Sequence, residues 1–495
     1  MPPHLDTAVA ASSHFLRHRT RLILLGLFVR GLWALLVISE VRKPETPGSL
    51  SIETGDTVGY LQPMESVMAG GSYSPEYRMP GVGAPYWVLR QVFDIGTSRD
   101  IMVVLQWLLA GLCVYLLGAI AHRISGSDKV AYSVYFLFLI SAYANWYDAS
   151  ISSDSFSVST LIIGAYFLQR AIDRSRMADL VVAGIALAWL IFLRPVSIVL
   201  LPVMLFLAFR FASWPRPFVA AACIALPFIV PDIAWTWRNW RANGTFSPLT
   251  NQGLLPSDFV DEVRGHAMAF LQCYGGNYIW WAPGSDMRWY GVWKGGPDLD
   301  DEGRLAKAPP DYAIVEGYSR DSLIILSETI RALSRPGLST ADSLAQVKRI
   351  NATFDRYALI YQREAPFNYH VLSRLRMLKN VIWQHGTEGI ILRPFHTLPW
   401  WLKAFKVIQS MLYIFTYTVG SIAVIVAAWN WRRARTSLEI WLPFVVVFMT
   451  LVYPVGLRMC EWRYMVHQFP FALTIGVIFT WRLIDRFRAK QVQTA

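Results

Sequence analysis

The sequence predicts an all-α polytopic membrane protein with about ten transmembrane helices. Of its 495 residues, 54% are apolar and only 16% are charged, against about a quarter in soluble domains. The apolar residues form runs of the length that a bilayer-spanning helix needs, about 20 residues. Basic residues lie in short clusters between these runs, where membrane proteins carry their topology signals. This composition excludes a single soluble globular core.

Ten apolar runs are expected to span the membrane: 21–39, 101–121, 130–147, 155–172, 178–193, 196–212, 217–237, 404–429, 438–456 and 465–484. The first follows a basic segment without a small-residue cleavage site, so we interpret it as an uncleaved span rather than a signal peptide. The fifth and sixth are short and meet at Arg194-Pro195, where proline disfavours a continuous helix. They are therefore either two short spans or one broken segment.

The charge pattern favours ten spans with both termini in the cytoplasm. In that orientation every inner segment is basic: RHRTR, AHRISGSDK, QRAIDRSRM, FRFASWPRP, NWRRARTS and DRFRAKQ. Short loops rich in Lys and Arg stay on the cytoplasmic side. Counting 178–212 as one span breaks this alternation for every later loop. The net charge of +12 thus reflects topology, and no nucleic-acid partner is expected.

Two outer segments are long. Residues 40–100 form the first outer loop of an N-terminal transmembrane module, 1–237, and contain LQPMESVMAG, which is typical of an interfacial helix. Residues 238–403 are expected to form a folded outer insertion domain, because their aromatic residues are too frequent for disorder. The stretches DSLIILSETIRALS and ADSLAQVKRINATFDRYALIYQRE within it are helix-like. Residues 404–495 supply the last three spans.

Short polar motifs follow one another along the chain in five segments, each at the expected outer end of a span. The first outer loop has Asp-x-x-x-Tyr at Asp56 and Tyr60, then AGGSYS, then Arg-x-Pro-Gly from Arg78. The later motifs are SSDSFSVST with Asp154, LRPVSIVLLP with Arg194, WTWRNWRANGTF, and EWRYMVHQFP with Glu461, Arg463 and Tyr464.

Together these motifs resemble those of the GT-C-fold glycosyltransferases, which include the dolichyl-phosphate-mannose protein mannosyltransferases and the bacterial aminoarabinose transferases. The similarity covers residues 20–250 well, 438–485 moderately and 255–400 hardly at all. The chain departs from the family pattern with Asp154 in place of Glu, with Leu193 in place of Thr, and with fewer spans than the larger members. The resemblance implies a GT-C-like fold and sugar transfer from a polyprenyl-phosphate donor to an acceptor on the outer face.

The resemblance also implies two catalytic carboxylates. Asp56 matches the family's invariant acidic position, where a carboxylate can take the proton of the attacking acceptor. One such base implies single displacement with inversion at the anomeric carbon. Asp154 is then either a second carboxylate, as a retaining route requires, or a residue that orients an arginine or the acceptor. The alternative from local sequence is that Asp154 caps the fourth span as part of SSDS.

The substrate-binding residues implied by the same matches are Tyr60, Arg78, Arg194, Glu461, Arg463 and Tyr464. Arginine is permanently charged and offers planar donors to phosphate oxygens, so Arg78, Arg194 and Arg463 are expected to hold the donor phosphate. Each has a structural alternative. Arg78 would only extend towards the membrane surface, Arg194 would cap a broken helix, and Arg463 would pair with Glu461.

No cofactor and no metal site are predicted, because the histidines lack metal-ligand spacing and GPDLDDEG lacks the final acidic ligand of a calcium loop. The expected partners are a polyprenyl-phosphate-linked sugar, the lipid bilayer, and an acceptor that is a glycolipid, a polysaccharide or a protein. A bacterial inner membrane is the expected location.

The rival function is a transporter or flippase of a polyprenyl-linked glycan. Transporters often show internal repeats and ionisable residues at the bilayer midplane, whereas here no repeat is found and charges cluster at span ends.

Overall fold

A computed structural model describes residues 13–71, 73, 78–244, 246–249, 259–276, 286–291, 308–333, 339–383, 395–458 and 462–494. These residues are predominantly helical. They contain no β-strand, and only two isolated bridges occur among them, Ile52 with Ser150 and Val315 with Tyr318. The structure confirms the predicted all-α fold.

The α-helices are, in chain order, α1 (His14–Arg17), α2 (Arg19–Val41), α3 (Gly55–Met68), α4 (Gly83–Arg90), α5 (Ile95–Ser125), α6 (Asp128–Leu139), α7 (Ala142–Asn145), α8 (Ser153–Arg174), α9 (Met177–Leu193), α10 (Leu200–Phe211), α11 (Pro217–Asn243), α12 (Phe259–Tyr274), α13 (Asp286–Trp289), α14 (Arg320–Ala332), α15 (Thr340–Glu364), α16 (Ser373–Trp383), α17 (Trp400–Trp429), α18 (Leu438–Thr450) and α19 (Phe469–Thr494). Short 3₁₀ turns include Trp146–Asp148, Pro195–Val199, Trp431–Arg433 and Trp462–Met465. Two π-helical turns lie at Asn368–Leu372 and Leu451–Leu457.

The chain divides into two compact units. The first comprises Met1–Gly253, Gln384–Met449 and Trp462–Ala495, and the second comprises Leu254–Trp383 and Thr450–Glu461. In the second unit both predicted helix-like stretches are helices, α14 and α15. Its core is aromatic, with Phe270, Tyr290 and Phe354 buried among other rings.

Among the described residues, six helical segments are long and apolar enough to cross a membrane: α2, α5, α8, α11 as far as Arg241, α17, and α18 with its extension to Gly456. Helix α9 and the segment Pro195–Phe211 are apolar but shorter. The predicted third and tenth spans, which correspond to α6 with α7 and to α19, are not among these helices. The structure thus confirms a polytopic helical protein, and the count of ten spans remains a prediction.

The predicted third span, 130–147, is interrupted. Helix α6 ends at Leu139, and Gln409 of α17 occupies the break. The Gln409 side chain accepts a hydrogen bond from the Ala142 amide at 2.9 Å and donates one to the Ile140 carbonyl at 3.0 Å. A backbone break inside a bilayer needs such partners, because unsatisfied peptide groups are costly there.

A buried ion pair ties α2 to the turn before α8. Arg30 Nη1 lies 2.9 Å from Asp148 Oδ2, and the side chains are 1% and 3% exposed. Ser155 of α8 donates a second hydrogen bond to Asp148 at 2.7 Å. The sequence predicts charges at span ends, and Arg30, in the middle of α2, is an exception that this pairing explains.

Candidate active site

Asp56 lies in the first turn of α3, whose start is capped by two threonine side chains. Thr54 and Thr57 form a capping box, in which each threonine side chain satisfies the other residue's backbone amide. Thr57 also donates a hydrogen bond to the Ile151 carbonyl at 3.0 Å, and the Ile52 amide donates one to the Ala149 carbonyl at 3.1 Å. The loop between α2 and α5 is therefore attached to the segment that leads into α8.

Arg78 contacts two residues of α3. Its Nη2 lies 3.0 Å from Asp56 Oδ1, and its guanidinium carbon lies 5.2 Å from the centre of the Tyr60 ring. Gly59 makes this approach possible, since a Cβ at that position would overlap the guanidinium of Arg78. The Asp56 side chain remains 22% exposed.

A second ion pair lies beside the first. Asp154, in the first turn of α8, pairs with Arg194, which follows α9. The guanidinium of Arg194 lies 5.4 Å from the centre of the Tyr464 ring. Tyr60 connects the two pairs, because its hydroxyl lies 3.1 Å from the Ser153 hydroxyl. We call Asp56, Tyr60, Arg78, Asp154 and Arg194 the Tyr60 cluster.

Burial raises the pKa of the Tyr60 hydroxyl above its usual value. The charge of Arg194 and the hydrogen bond with Ser153 oppose this shift, and the charges of Asp56 and Asp154 add to it. Tyr60 thus lies within electrostatic reach of both carboxylates and stays protonated at neutral pH as a hydrogen-bond donor.

The segment after Arg78 packs directly on the end of α9. The Gly81 amide donates a hydrogen bond to the Phe192 carbonyl at 3.2 Å, and Trp189 Nε1 donates one to the Gly81 carbonyl at 2.9 Å. A Cβ at Gly81 would overlap the backbone of Phe192 and Leu193. The glycine of the Arg-x-Pro-Gly motif therefore lets the chain carrying Arg78 approach the chain carrying Arg194.

Most of the predicted site residues come together in the Tyr60 cluster with Tyr464 as a neighbour. Glu461 and the side chain of Arg463 lie outside the described residues, so the predicted pairing of these two stays a prediction. The proposed capping by Asp154 is wrong, because the Ser152 side chain accepts the hydrogen bond from the Asp154 amide at the start of α8. The Arg194 side chain pairs with Asp154.

Arg238, in the motif WTWRNW, is a candidate site residue that the sequence pattern alone does not predict. Its guanidinium donates a hydrogen bond to the Tyr73 carbonyl and lies over the rings of Tyr73 and Trp235, at 5.0 and 5.2 Å from their centres. Tyr73 belongs to the AGGSYS motif. The sequence signal for Arg238 was its place in one of the ordered motifs. Its contact with Tyr73 shows that two of these motifs meet in the structure.

No group of three or more His, Cys, Asp or Glu side chains within the described ranges is arranged to hold a metal ion. The Tyr60 cluster contains two carboxylates and two guanidinium groups around the phenol of Tyr60. Arginine has five N–H donors, so one guanidinium can contact a carboxylate and a phosphate together.

Part of the chain matches a known protein family. Residues 83–235, about a third of the chain, match the family model of dolichyl-phosphate-mannose-protein mannosyltransferases. No curated protein matches the chain. Among solved structures the chain is similar to the archaeal oligosaccharyltransferase AglB from Archaeoglobus fulgidus, determined with an inhibitory peptide and a dolichol-phosphate. The TM-score is 0.40 at 11% identity over 94% of this chain and 51% of that chain, so this chain spans about half the length of AglB.

The family match confirms the resemblance that the motifs carried. The matched third of the chain is similar to membrane glycosyltransferases that use a lipid-phosphate-linked sugar. The matched region contains Asp154 and Arg194 of the Tyr60 cluster and begins shortly after Arg78.

Proposed function

We propose that this protein transfers a sugar from a polyprenyl-phosphate donor to an acceptor at the outer surface of the membrane, with inversion at the anomeric carbon. The Tyr60 cluster is the observation that carries the proposal. It holds a partly exposed carboxylate, Asp56, paired with Arg78, beside a second arginine, Arg194, that is paired with the buried Asp154. The matched family is named for dolichyl-phosphate-mannose, and a donor of this class is part of the proposal.

In this reaction the acceptor hydroxyl attacks the anomeric carbon as its proton passes to Asp56. The bond between the anomeric carbon and the phosphate oxygen breaks, a glycosidic bond forms, and polyprenyl phosphate leaves. Arg78 and Arg194 stabilise the negative charge on the leaving phosphate by charge-assisted hydrogen bonds. Each step uses groups of the Tyr60 cluster alone.

The burial of the two carboxylates supports different roles for them. The Asp154 side chain is only 2% exposed and is engaged with Arg194, whereas Asp56 is 22% exposed. A covalent nucleophile must reach the anomeric carbon, and the buried Asp154 is less accessible than Asp56. This difference favours single displacement with Asp56 as the base over a retaining route through Asp154. We assign Asp154 as a positioning residue that orients Arg194.

An apolar groove beside Gly81 suits the isoprenoid part of the donor. It has a volume of about 450 Å³ and is lined by Pro80, Ala84, Trp189, Phe192 and Trp235 among others, with Arg238 at its edge. A lipid phosphate needs an apolar path for its tail next to cationic groups for its head. The groove and the arginines meet that requirement within one unit of the chain.

The transporter alternative is favoured by one observation, the ion pair of Arg30 and Asp148 inside the helical region. Ionisable residues within membrane helices often mark transport paths. The pair is fully buried, however, and the cavity beside it holds only about 10 Å³, room for a single water. This geometry fits a structural pair better than a path for a glycan.

Replacing Arg78 with Gln should weaken donor binding by roughly 10- to 150-fold, since a hydrogen bond to a charged group contributes about 1.5–3 kcal/mol. The measurement is direct binding of a polyprenyl-phosphate sugar to the purified protein. Arg90→Gln is the matched control, because Arg90 forms a comparable ion pair with Glu65 of the same helix, α3, at 2.7 Å. Equal donor affinities in the two variants would make Arg78 a structural residue.

The proposed orientation predicts opposite accessibility for two introduced cysteines. Asp311, whose side chain is 97% exposed, lies in the segment expected outside the membrane, and Arg432 lies in a basic loop expected in the cytoplasm. A membrane-impermeant maleimide should label Asp311→Cys in intact cells and Arg432→Cys only after permeabilisation, each compared with the parent chain. The reverse pattern would place the Tyr60 cluster on the cytoplasmic side.

A further inference from the structure

A second charged site lies at the opposite ends of the helices from the Tyr60 cluster. It is a pocket of about 610 Å³ between α17, α18 and α19, which we call the basic pocket. Ser437 lies next to the wall of this pocket. Its backbone amide donates a hydrogen bond at 2.9 Å to the side chain of Gln169, near the far end of α8. Asp154 stands at the near end of α8, about 22 Å away along the helix axis.

The lining of the basic pocket is strongly cationic. It includes four arginines and one carboxylate, a net charge of +3: Arg433, Arg435, Arg482, Arg486 and Glu439. Arg433 and Arg435 belong to the turn between α17 and α18, whereas Arg482 and Arg486 belong to α19, so their charges converge from two separate parts of the chain.

The single carboxylate is engaged by the protein. Glu439 Oε2 accepts hydrogen bonds from the backbone amides of Arg435 and Thr436 at 2.6 and 3.2 Å, which closes the turn before α18. Arg482 Nη2 lies 3.9 Å from Oε1 of the same residue. The glutamate therefore offsets only part of the positive charge at the opening.

The floor of the basic pocket is apolar. Val426, Leu442, Ile475, Ile478 and Phe479 form it, on the three helices that enclose the space. A free inorganic anion gains nothing from such a floor. A molecule with a phosphate joined to hydrocarbon chains can use both the arginines and the floor.

The helix beside the basic pocket is suited to contact lipid. Ile425 and Trp429 of α17 are 67% and 88% exposed, and tryptophan at a helix end is typical of the membrane interface. The pocket thus lies where a lipid headgroup would lie if α17 crosses the bilayer. Basic pockets between transmembrane helices on the cytoplasmic side bind anionic headgroups.

We propose that the basic pocket binds the phosphate headgroup of an anionic phospholipid, with its acyl chains over the apolar floor, in the leaflet opposite the Tyr60 cluster. This site is separate from the donor site and does not depend on the sugar-transfer reaction. Its occupant is a resident membrane lipid.

Native mass spectrometry of the full chain in detergent tests this proposal with phosphatidylglycerol and phosphatidylcholine as probes. The pocket variant is Arg433→Gln with Arg486→Gln, both exposed on different elements. The control variant is Arg176→Gln with Arg216→Gln, two exposed arginines of other basic loops that do not line the pocket. A charge near an anionic lipid changes affinity roughly fivefold, so the pocket variant should bind phosphatidylglycerol about 25-fold more weakly.

We expect the parent and the control variant to retain phosphatidylglycerol in preference to phosphatidylcholine. Equal losses in the pocket and control variants would overturn the proposal in favour of a diffuse basic surface. Equal retention of the two lipids by the parent would show that the headgroup charge is not recognised. Displacement of phosphatidylglycerol by inorganic phosphate at millimolar concentration would identify a site for soluble anions instead.

Discussion

Sugar transfer by the Asp56→Asn variant is expected to be roughly 10²–10⁴-fold slower than transfer by the parent, because asparagine cannot accept the acceptor's proton. The substitution keeps the size of the side chain and an oxygen that can face Arg78, which lies 3.0 Å from Asp56. Donor affinity should therefore change little. The measurement is paired: product formation for turnover, and direct binding for the donor, on protein shown to be folded.

Glu65→Gln is the matched control for Asp56→Asn. Glu65 lies on the same helix, about 13 Å further along its axis, and pairs with Arg90 as Asp56 pairs with Arg78. Hydrogen bonds from Arg90 hold the pKa of Glu65 below its usual value, so both substitutions remove a negative charge. Near-normal turnover in Asp56→Asn would end its assignment as a base. Equal losses of turnover and donor binding would make Asp56 a structural partner of Arg78.

The second large effect concerns stability. Arg30→Met should lower the free energy of unfolding by about 3–5 kcal/mol, because it leaves Asp148 buried without its cationic partner. Asp148 would retain the hydrogen bond from Ser155 at 2.7 Å, which does not neutralise its charge. Thermal unfolding in detergent should show a clearly lower midpoint.

Two further variants separate the loss of the ion pair from a loss of packing. Arg30→Met combined with Asp148→Asn removes both charges and should recover much of the lost stability, since buried pairs are often replaceable as a unit. Arg320→Gln removes an arginine from the exposed pair with Asp311 and should change stability by less than about 1 kcal/mol. A double variant no more stable than Arg30→Met would indicate that packing of the Arg30 side chain, rather than pairing, is what matters.

The parts of the fold predicted well from sequence are those governed by local pattern. Apolar runs predicted the long membrane helices, and Arg194-Pro195 predicted the end of α9 because proline restricts the residue before it. The stretch LQPMESVMAG predicted an interfacial helix; the observed helix α3 begins earlier, at Gly55, and so also contains Asp56 and Tyr60, one turn apart. Each of these features depends on residues close together in the chain.

The parts that could not be predicted depend on distant partners. The break after α6 is satisfied by Gln409, about 270 residues away in sequence. The pairing of Arg30 with Asp148 spans 118 residues, and that of Asp154 with Arg194 spans 40. Composition and spacing identify such residues as polar groups among apolar ones, but only packing of the helices determines which polar groups meet.

We propose above all that the protein consumes a polyprenyl-phosphate sugar at the Tyr60 cluster. The most direct measurement incubates the purified full chain with a panel of polyprenyl-phosphate sugars and quantifies sugar released or transferred, with Asp56→Asn in parallel. We predict that the parent chain cleaves at least one donor and that Asp56→Asn does so at least 100-fold more slowly. Intact donors throughout the panel, together with movement of a polyprenyl-linked glycan across vesicle membranes containing the protein, would contradict the proposal and establish the transporter function.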